Sequence, residues 1–417
     1  MAEAAKVLVI LGTRPEAIKL FPVIRALVVE PRLKVRVVTT GQHREMVDQI
    51  LGPFGIVPDH DLDIMRPDQS LNAIVCRVLP LLEALYVQER PRLVLVQGDT
   101  TSAFCAGLAA FHRRIAVGHV EAGLRSFNRF HPYPEEANRR MLTCVTDLHL
   151  AATPQSADNL LREGVRREEI VITGNTVIDS LLETLGRPDL LQAHRLRDLA
   201  LAPADRLVLI TLHRRENWMR REGEAAAPDS PLEQVLTAVA GSARAHPAVH
   251  FVYPVHRNPR VQEPARRILG GLGNVHLLEP VPYIPFVDLL ARAAVILTDS
   301  GGIQEEAPSL GVPVLVARET TERPEGLVSG SNRLVGTRPE VVMEALGGLL
   351  QNPPEKPGSI PIPNPFGDGK AAGRVRQAVL HYLELGERAR EFDPGAALTT
   401  STTGARTGGA AARGGPA

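Results

Sequence analysis

The chain has 417 residues, its 47 basic and 47 acidic side chains cancel, and 44% of its residues are hydrophobic. Balanced charge argues against a dedicated nucleic-acid binder, and the apolar content excludes an acidic disordered chain. The length fits two to three domains, each large enough for its own core.

The start, Met1-Ala-Glu-Ala-Ala-Lys-Val, has no basic leader and runs straight into a strand, so no signal peptide is expected. A strand over 7–11 ends in Gly12-Thr13-Arg14-Pro15-Glu16, with a helix starting at Pro15. Gly12 permits a tight turn, and Pro15 suits a first helical position. Only five of the basic residues are lysine (Lys6, Lys19, Lys34, Lys356 and Lys370), so a lysine inside a motif is informative. Arg14, Lys19 and the helix start together make an anion site, or else are surface charges. GxGxxG and Walker patterns are both missing here, so this is neither a usual dinucleotide turn nor a P-loop.

Strands follow over 34–39, 93–97, 115–120, 148–151 and 170–173. The 93–97 strand ends in Gly98-Asp99-Thr100-Thr101, where Asp99 is a functional acid or a helix N-cap. The 115–120 strand leads through Glu121 to Arg125, and Pro134-Glu135-Glu136 opens the next helix. Asp99, Glu121 and Glu135 thus converge on one cleft edge, as general acid–base chemistry needs. Glu135 and Glu136 also read as first-turn charges that favour the helix dipole. Cys76, Cys105 and Cys144 have neither disulfide nor metal spacing and read as free core thiols.

A break is expected around 185–206, followed by strands over 207–211, 250–254, 275–278, 294–298 and 312–316. Two strand ends carry His-Arg pairs, His213-Arg214 and His256-Arg257. Each is a structural pair or part of a phosphate-facing cleft; neither has metal-ligand spacing. The 294–298 strand ends in Asp299-Ser300-Gly301-Gly302 and a helix start able to cradle phosphate, with Glu306 a turn inside placed for ribose hydroxyls. The glycines also read as plain helix punctuation. Arg318 to Pro324 offers a further phosphate clamp.

Residues 220–231 read as a mobile polar loop, a Pro-rich stretch spans 352–365, and a last helix spans 370–385. The segment 394–417 is mostly Gly, Ala and Thr, with one large apolar residue, Leu398, with Arg406 and Arg413 and with no acid, and is expected to be disordered. No run of 18 apolar residues exists, so no membrane span is expected, and a reducing cytoplasm fits the cysteines. Apolar strands alternating with helices predict an α/β protein of two doubly wound, Rossmann-like domains facing a central cleft. The expected boundaries are 1–185, with the helix 370–390 packing back on it, and 200–365 for the nucleotide-binding half.

The ordered motifs GTRPEAIK (12–19), QHREM (42–46), GDTTSA (98–103), GHVEAGLR (118–125), PEEANR (134–139), TGNTVID (173–179), HRREN (213–217), PVHRNP (254–259), TDSGGIQEEAPSLG (298–311) and ETTERPEG (319–326) carry a specific resemblance over about 6–385. The chain resembles the bacterial non-hydrolysing UDP-N-acetylglucosamine 2-epimerases. The resemblance implies a glycosyltransferase-B-like fold and reversible C2 epimerisation of UDP-GlcNAc and UDP-ManNAc, through UDP elimination and re-addition to 2-acetamidoglucal. It implies no metal, no cofactor and a homodimer. It places Asp99, Glu121, Glu135 and His213 in catalysis. Arg14, Lys19, Val281, Phe286, Ser300, Gly301, Gly302, Glu306 and Arg323 would bind substrate, and Gln42, His43 and His256 match part of an allosteric UDP-GlcNAc site. Glu45 and Asp68 depart from the glutamine and arginine of some regulated relatives, and Val281 replaces a glutamine on the uracil side. The neighbouring readings are the hydrolysing epimerase, releasing ManNAc and UDP, and a glycosyltransferase-B-type sugar transferase.

Overall fold

A computed structural model describes residues 4–41, 44–66, 69–196, 199, 201–202, 205–214, 230–352 and 364–395. Gln42, His43, Asp68, most of the 220–231 loop, most of the Pro-rich stretch and the tail beyond 395 lie outside these residues.

Seven parallel strands form the first sheet: β1 (Ala5–Leu11), β2 (Leu33–Thr39), β3 (His60–Asp61), β4 (Leu93–Gln97), β5 (Ala116–Ala122), β6 (Leu148–Ala151) and β7 (Ile170–Ile172). Their order is β3-β2-β1-β4-β5-β6-β7. A six-stranded sheet follows: β8 (Arg206–Thr211), β9 (Val249–Pro254), β10 (Val275–Leu278), β11 (Ala293–Thr298), β12 (Val314–Val316) and β13 (Asn332–Leu334), ordered β10-β9-β8-β11-β12-β13. Both are doubly wound. The order reverses between β1 and β4, and again between β8 and β11, and ligands in such sheets bind outside the carboxyl ends of the strands at that reversal.

The central strands are buried on both faces: Val7, Val9 and Leu95 pack into one cluster, Leu8, Ile10 and Val94 into another. β3 and β13 escape the sequence reading because they are edge strands of two and three residues without an apolar run. The helix Ala371–Tyr382 packs on the helices Arg14–Val28 and Thr176–Leu185, with Ala372, Val375 and Val379 joining the first core. Its start is capped by Asp179, which accepts from Ala371 N (3.1 Å) and Ala372 N (2.8 Å).

Two expectations change. Cys105 is buried, but Cys76 and Cys144 are exposed, since each falls on the outer face of its helical segment. Gly12 is not in the left-handed region; a Cβ there would meet Thr40 Oγ1 at 2.1 Å, so a close approach excludes larger residues. The helix Leu71–Glu89 is long and apolar enough by composition to cross a membrane. Its Ile74, Val78, Leu82, Leu85 and Tyr86 are instead buried in the protein core.

Candidate active site

A cavity of about 360 Å³ opens over the carboxyl ends of β1, β4 and β5. Lys19, Asp99, Glu121, Glu135 and Arg139 line it from the first sheet's side, and Arg323 from the second. Each is there for a local reason. Thr13 caps the helix Arg14–Val28, and Glu16 accepts from Gly12 N (2.8 Å), Thr13 N (2.7 Å) and the Thr100 hydroxyl (2.7 Å). This buried carboxylate, its pKa raised by burial, therefore joins the turn after β1 to the turn after β4. Thr100, not Asp99, is the N-cap of the helix Thr101–His112, accepting from Ala103 N (3.0 Å). Asp99 is left to pair with Arg139 (2.7 Å).

Glu121 sits at a register irregularity between Val120 and Ala122, with φ +65°. A non-glycine residue in that region is held there by its surroundings. Oε1 accepts from Lys19 Nζ (2.5 Å) and Asn175 Nδ2 (3.1 Å), and Oε2 from Gln97 Nε2. Burial favours the neutral acid, but Lys19, followed by Arg323 and Arg139, outweighs it and holds Glu121 below the usual carboxylate range. Burial also works against the charge of Lys19, yet Glu121 and Glu305 keep its pKa raised. Glu135 and Glu136 share a first helical turn and differ in use. Glu136 accepts from Ser126 N (3.0 Å) and Phe127 N (3.1 Å), whereas Glu135 lines the cavity with Oε2 buried and without a partner among the described residues.

In the second domain, buried Asp299 straddles the β8–β11 reversal. It accepts from His213 N (3.0 Å) and Arg214 N (3.0 Å), which fixes the His-Arg turn. The His213 and His256 rings stack with centroids 6.2 Å apart, and burial followed by His213 lowers the pKa of His256. Ser300 stands at the N-cap position of the short helix Gly301–Glu306. Arg323 lies over Gly301, where a Cβ would meet Arg323 Cζ at 2.5 Å, and its Nε donates to Glu305 Oε1 (2.8 Å). Arg14 crosses between the domains to donate to the Val281 carbonyl (3.2 Å). Val281 is buried and Phe286 half-buried in the cluster beneath. No three-ligand metal cluster occurs among the described residues.

Lys19, Asp99, Glu121, Glu135 and Arg323 are thus brought into one cavity. Arg14, His213, His256, Ser300, Gly302 and Glu306 sit at the second domain's strand ends and at the domain junction rather than in its walls. Sequence reading missed Glu16, Gln97, Arg139, Asn175 and Glu305 as site builders. Glu16, Arg139, Asn175 and Glu305 lie inside motifs it quoted, but which motif members face inward depends on three-dimensional packing.

Glu306 is buried, and desolvation followed by Glu305 raises its pKa to about 8. The folded protein then holds a proton that the unfolded chain has released, so stability falls as pH rises from about 5 to 8. Glu306→Gln is expected to raise the Tm of the ligand-free protein by several degrees at pH 8, with the gain vanishing towards pH 5. Thermal unfolding across that range checks this; a constant difference would contradict it.

Residues 25–380 match the UDP-N-acetylglucosamine 2-epimerase family. The chain is 47% identical over 380 residues to the UDP-N-acetylglucosamine 2-epimerase of Escherichia coli K12, covering 90% of this chain and 98% of that one. It is 46% identical over 382 residues to the probable UDP-N-acetylglucosamine 2-epimerase of Ralstonia nicotianae, covering 91% and 99%. The crystal structure of the Neisseria meningitidis UDP-GlcNAc 2-epimerase bound to UDP-GlcNAc matches with TM-score 0.80 and 41% identity, over 90% of this chain and all of that one. The Methanocaldococcus jannaschii enzyme in complex with UDP-GlcNAc and UDP matches with TM-score 0.71 and 31% identity, over 91% and 100%. A glycotransferase of kitacinnamycin, 14% identical with TM-score 0.52 over 96% and 99%, shares the fold alone. Two facing parallel-sheet domains of the glycosyltransferase-B kind, an acid-lined cavity between them and these relatives lead to one conclusion: the chain belongs to the UDP-N-acetylglucosamine 2-epimerase family.

Proposed function

We propose that the protein interconverts UDP-GlcNAc and UDP-ManNAc by inverting C2, with UDP eliminated and re-added across 2-acetamidoglucal, and releases no free sugar. The observation that carries this is the convergence of Asp99, Glu121 and Glu135 with Lys19 and Arg323 in one cavity. The C2 proton is not acidic in itself. Its removal becomes feasible only when departure of the diphosphate is stabilised and a positioned base accepts the proton.

The three acids have different surroundings, and that divides the labour. Glu121 is held ionised with both oxygens occupied, so it supplies field and orientation to the sugar side. Asp99 is paired to Arg139. Of the three, Glu135 alone has a buried oxygen without a partner among the described residues, and it is assigned the proton at C2. Arg14, His213, Arg323 and the Ser300–Gly302 turn hold the diphosphate, Glu306 faces the ribose, and Val281 and Phe286 receive the uracil. The substitution of Val281 for a glutamine is tolerated if the contact is through the backbone. The two domains retain the glucal and UDP together until re-addition, which separates epimerisation from hydrolysis.

A homodimer in the cytoplasm, working on its nucleotide sugar without nucleic acid, membrane or cofactor, completes this reading. His256, beside His213, remains the described member of an allosteric set whose Gln42 and His43 lie outside the described residues. Pure UDP-ManNAc is expected to form UDP-GlcNAc at once and without free ManNAc. Chromatography of nucleotide and free sugars decides. A lag removed by added UDP-GlcNAc would establish an obligatory activator, and accumulating ManNAc would establish the hydrolysing reaction.

A further inference from the structure

We propose that Asn175 is a positioning residue whose single carboxamide sets Glu121, on the sugar side of the cleft, against Glu305 and Arg323 of the nucleotide-binding domain. The inference rests on the reading of Glu121 as part of the reacting site.

Asn175 is the N-cap of the helix Thr176–Leu185 and is 2% exposed. Its Oδ1 accepts from Val177 N (3.1 Å), and its own N–H donates to the Phe366 carbonyl (2.7 Å) on the strand of chain returning from the second domain. The first bond orients the carboxamide, with Nδ2 turned away from the helix, and the second holds the backbone that carries it. Both Nδ2 hydrogens then find carboxylates: Glu121 Oε1 at 3.1 Å and Glu305 Oε2 at 2.9 Å. The other Glu305 oxygen accepts from Arg323 Nε at 2.8 Å, and the same Glu121 oxygen accepts from Lys19 Nζ at 2.5 Å. The result is a continuous buried chain, Arg323–Glu305–Asn175–Glu121–Lys19. Its two cationic ends both line the cavity, one contributed by each domain. Asn364 closes the junction by donating to the Glu305 carbonyl (2.8 Å).

The residue type follows from the electrostatics. Two buried carboxylates repel, and each needs its lone pairs met. A carboxamide offers two N–H donors on one nitrogen with no charge, and keeps an oxygen for the cap. Serine would cap the helix but lose the donors, and aspartate would cap it while adding a third carboxylate. Asn175 therefore holds the acid that acts on the sugar at a set distance from the arginine that faces the diphosphate. A misplacement near 1 Å between reacting groups costs about 10²-fold in rate.

Kinetics of Asn175→Ser, Asn175→Thr, Glu305→Gln and the Asn175→Ser/Glu305→Gln double variant test this. Asn175→Ser is expected to lower kcat about 10²-fold with little change in KM and a lower Tm that still leaves the protein folded in the assay. Glu121 is faced by Lys19, Arg139, Glu305 and Arg323, and loss of the amide removes a donor that favours its charged form, so the acid limb of the kcat profile moves to higher pH. The double variant should be little worse than either single one, because both break the same link. Should the serine variant fail to fold, Asn175→Thr, which keeps the cap and removes both donors without adding a charge, must show the same kcat loss and the same shift of the acid limb. Wild-type kcat in a folded variant, or a kcat loss with the acid limb unmoved, would overturn the inference. Near-wild-type turnover in Glu121→Gln would instead remove the reading on which it rests.

Discussion

Glu135→Gln should lower kcat by roughly 10³-fold, inside the ~10²–10⁴ range of general acid–base contributions, and should suppress C2 proton exchange to the same extent. The reason is local. Among the cavity's three principal acids, Glu135 alone has an oxygen that is buried and has no partner among the described residues, whereas Asp99 is tied to Arg139 and Glu121 to Lys19, Gln97 and Asn175. An amide of the same shape keeps the first turn of the helix and loses only the proton acceptor. Tm should therefore hold or rise slightly, and KM should change little. Steady-state kinetics together with thermal unfolding check this. Substantial exchange at C2 in Glu135→Gln would move the proton-accepting role to Asp99.

Glu121→Gln should behave differently, losing activity and stability together. The side chain is nearly buried, paired with a nearly buried lysine, and sits in a left-handed conformation. Breaking one half of such a pair leaves Lys19 short of its main counter-charge and costs about 3 kcal/mol of folding stability. Removing the fixed negative charge and its orientation should lower kcat by about 10³-fold or more. The measurements are kcat and the midpoint of denaturant unfolding in the same preparation. An unchanged midpoint would show that the Lys19–Glu121 pair is not the buried ion pair described here. The contrast between Glu121→Gln and Glu135→Gln is more informative than either loss alone, since only an ion-paired acid should carry both penalties.

The doubly wound folds were legible from the sequence because parallel strands buried on both faces read as uninterrupted apolar runs, and every central strand was found that way. The edge strands β3 and β13 were not, because His60-Asp61 and Asn332–Leu334 carry no such signature. Asp99, Glu121 and Glu135 were legible because strand ends and helix starts announce where side chains meet ligands. Their division of labour was not. Whether Asp99 caps its helix depends on Thr100 taking that task, and this appears only when backbone directions are known. The conformation of Glu121 depends on a register shift that no local pattern reports. Asn175 reads in sequence as a helix cap, which it is. Its second task arises only because the other domain places Glu305 on its far side.

The most direct measurement of the central claim is NMR of UDP-GlcNAc turned over in deuterated buffer. UDP-ManNAc should appear with deuterium at C2, the recovered UDP-GlcNAc should gain deuterium at the same carbon, and the sugar should remain linked to UDP. Epimerised product that retains its original C2 hydrogen, or free ManNAc accumulating in step with UDP, would contradict it.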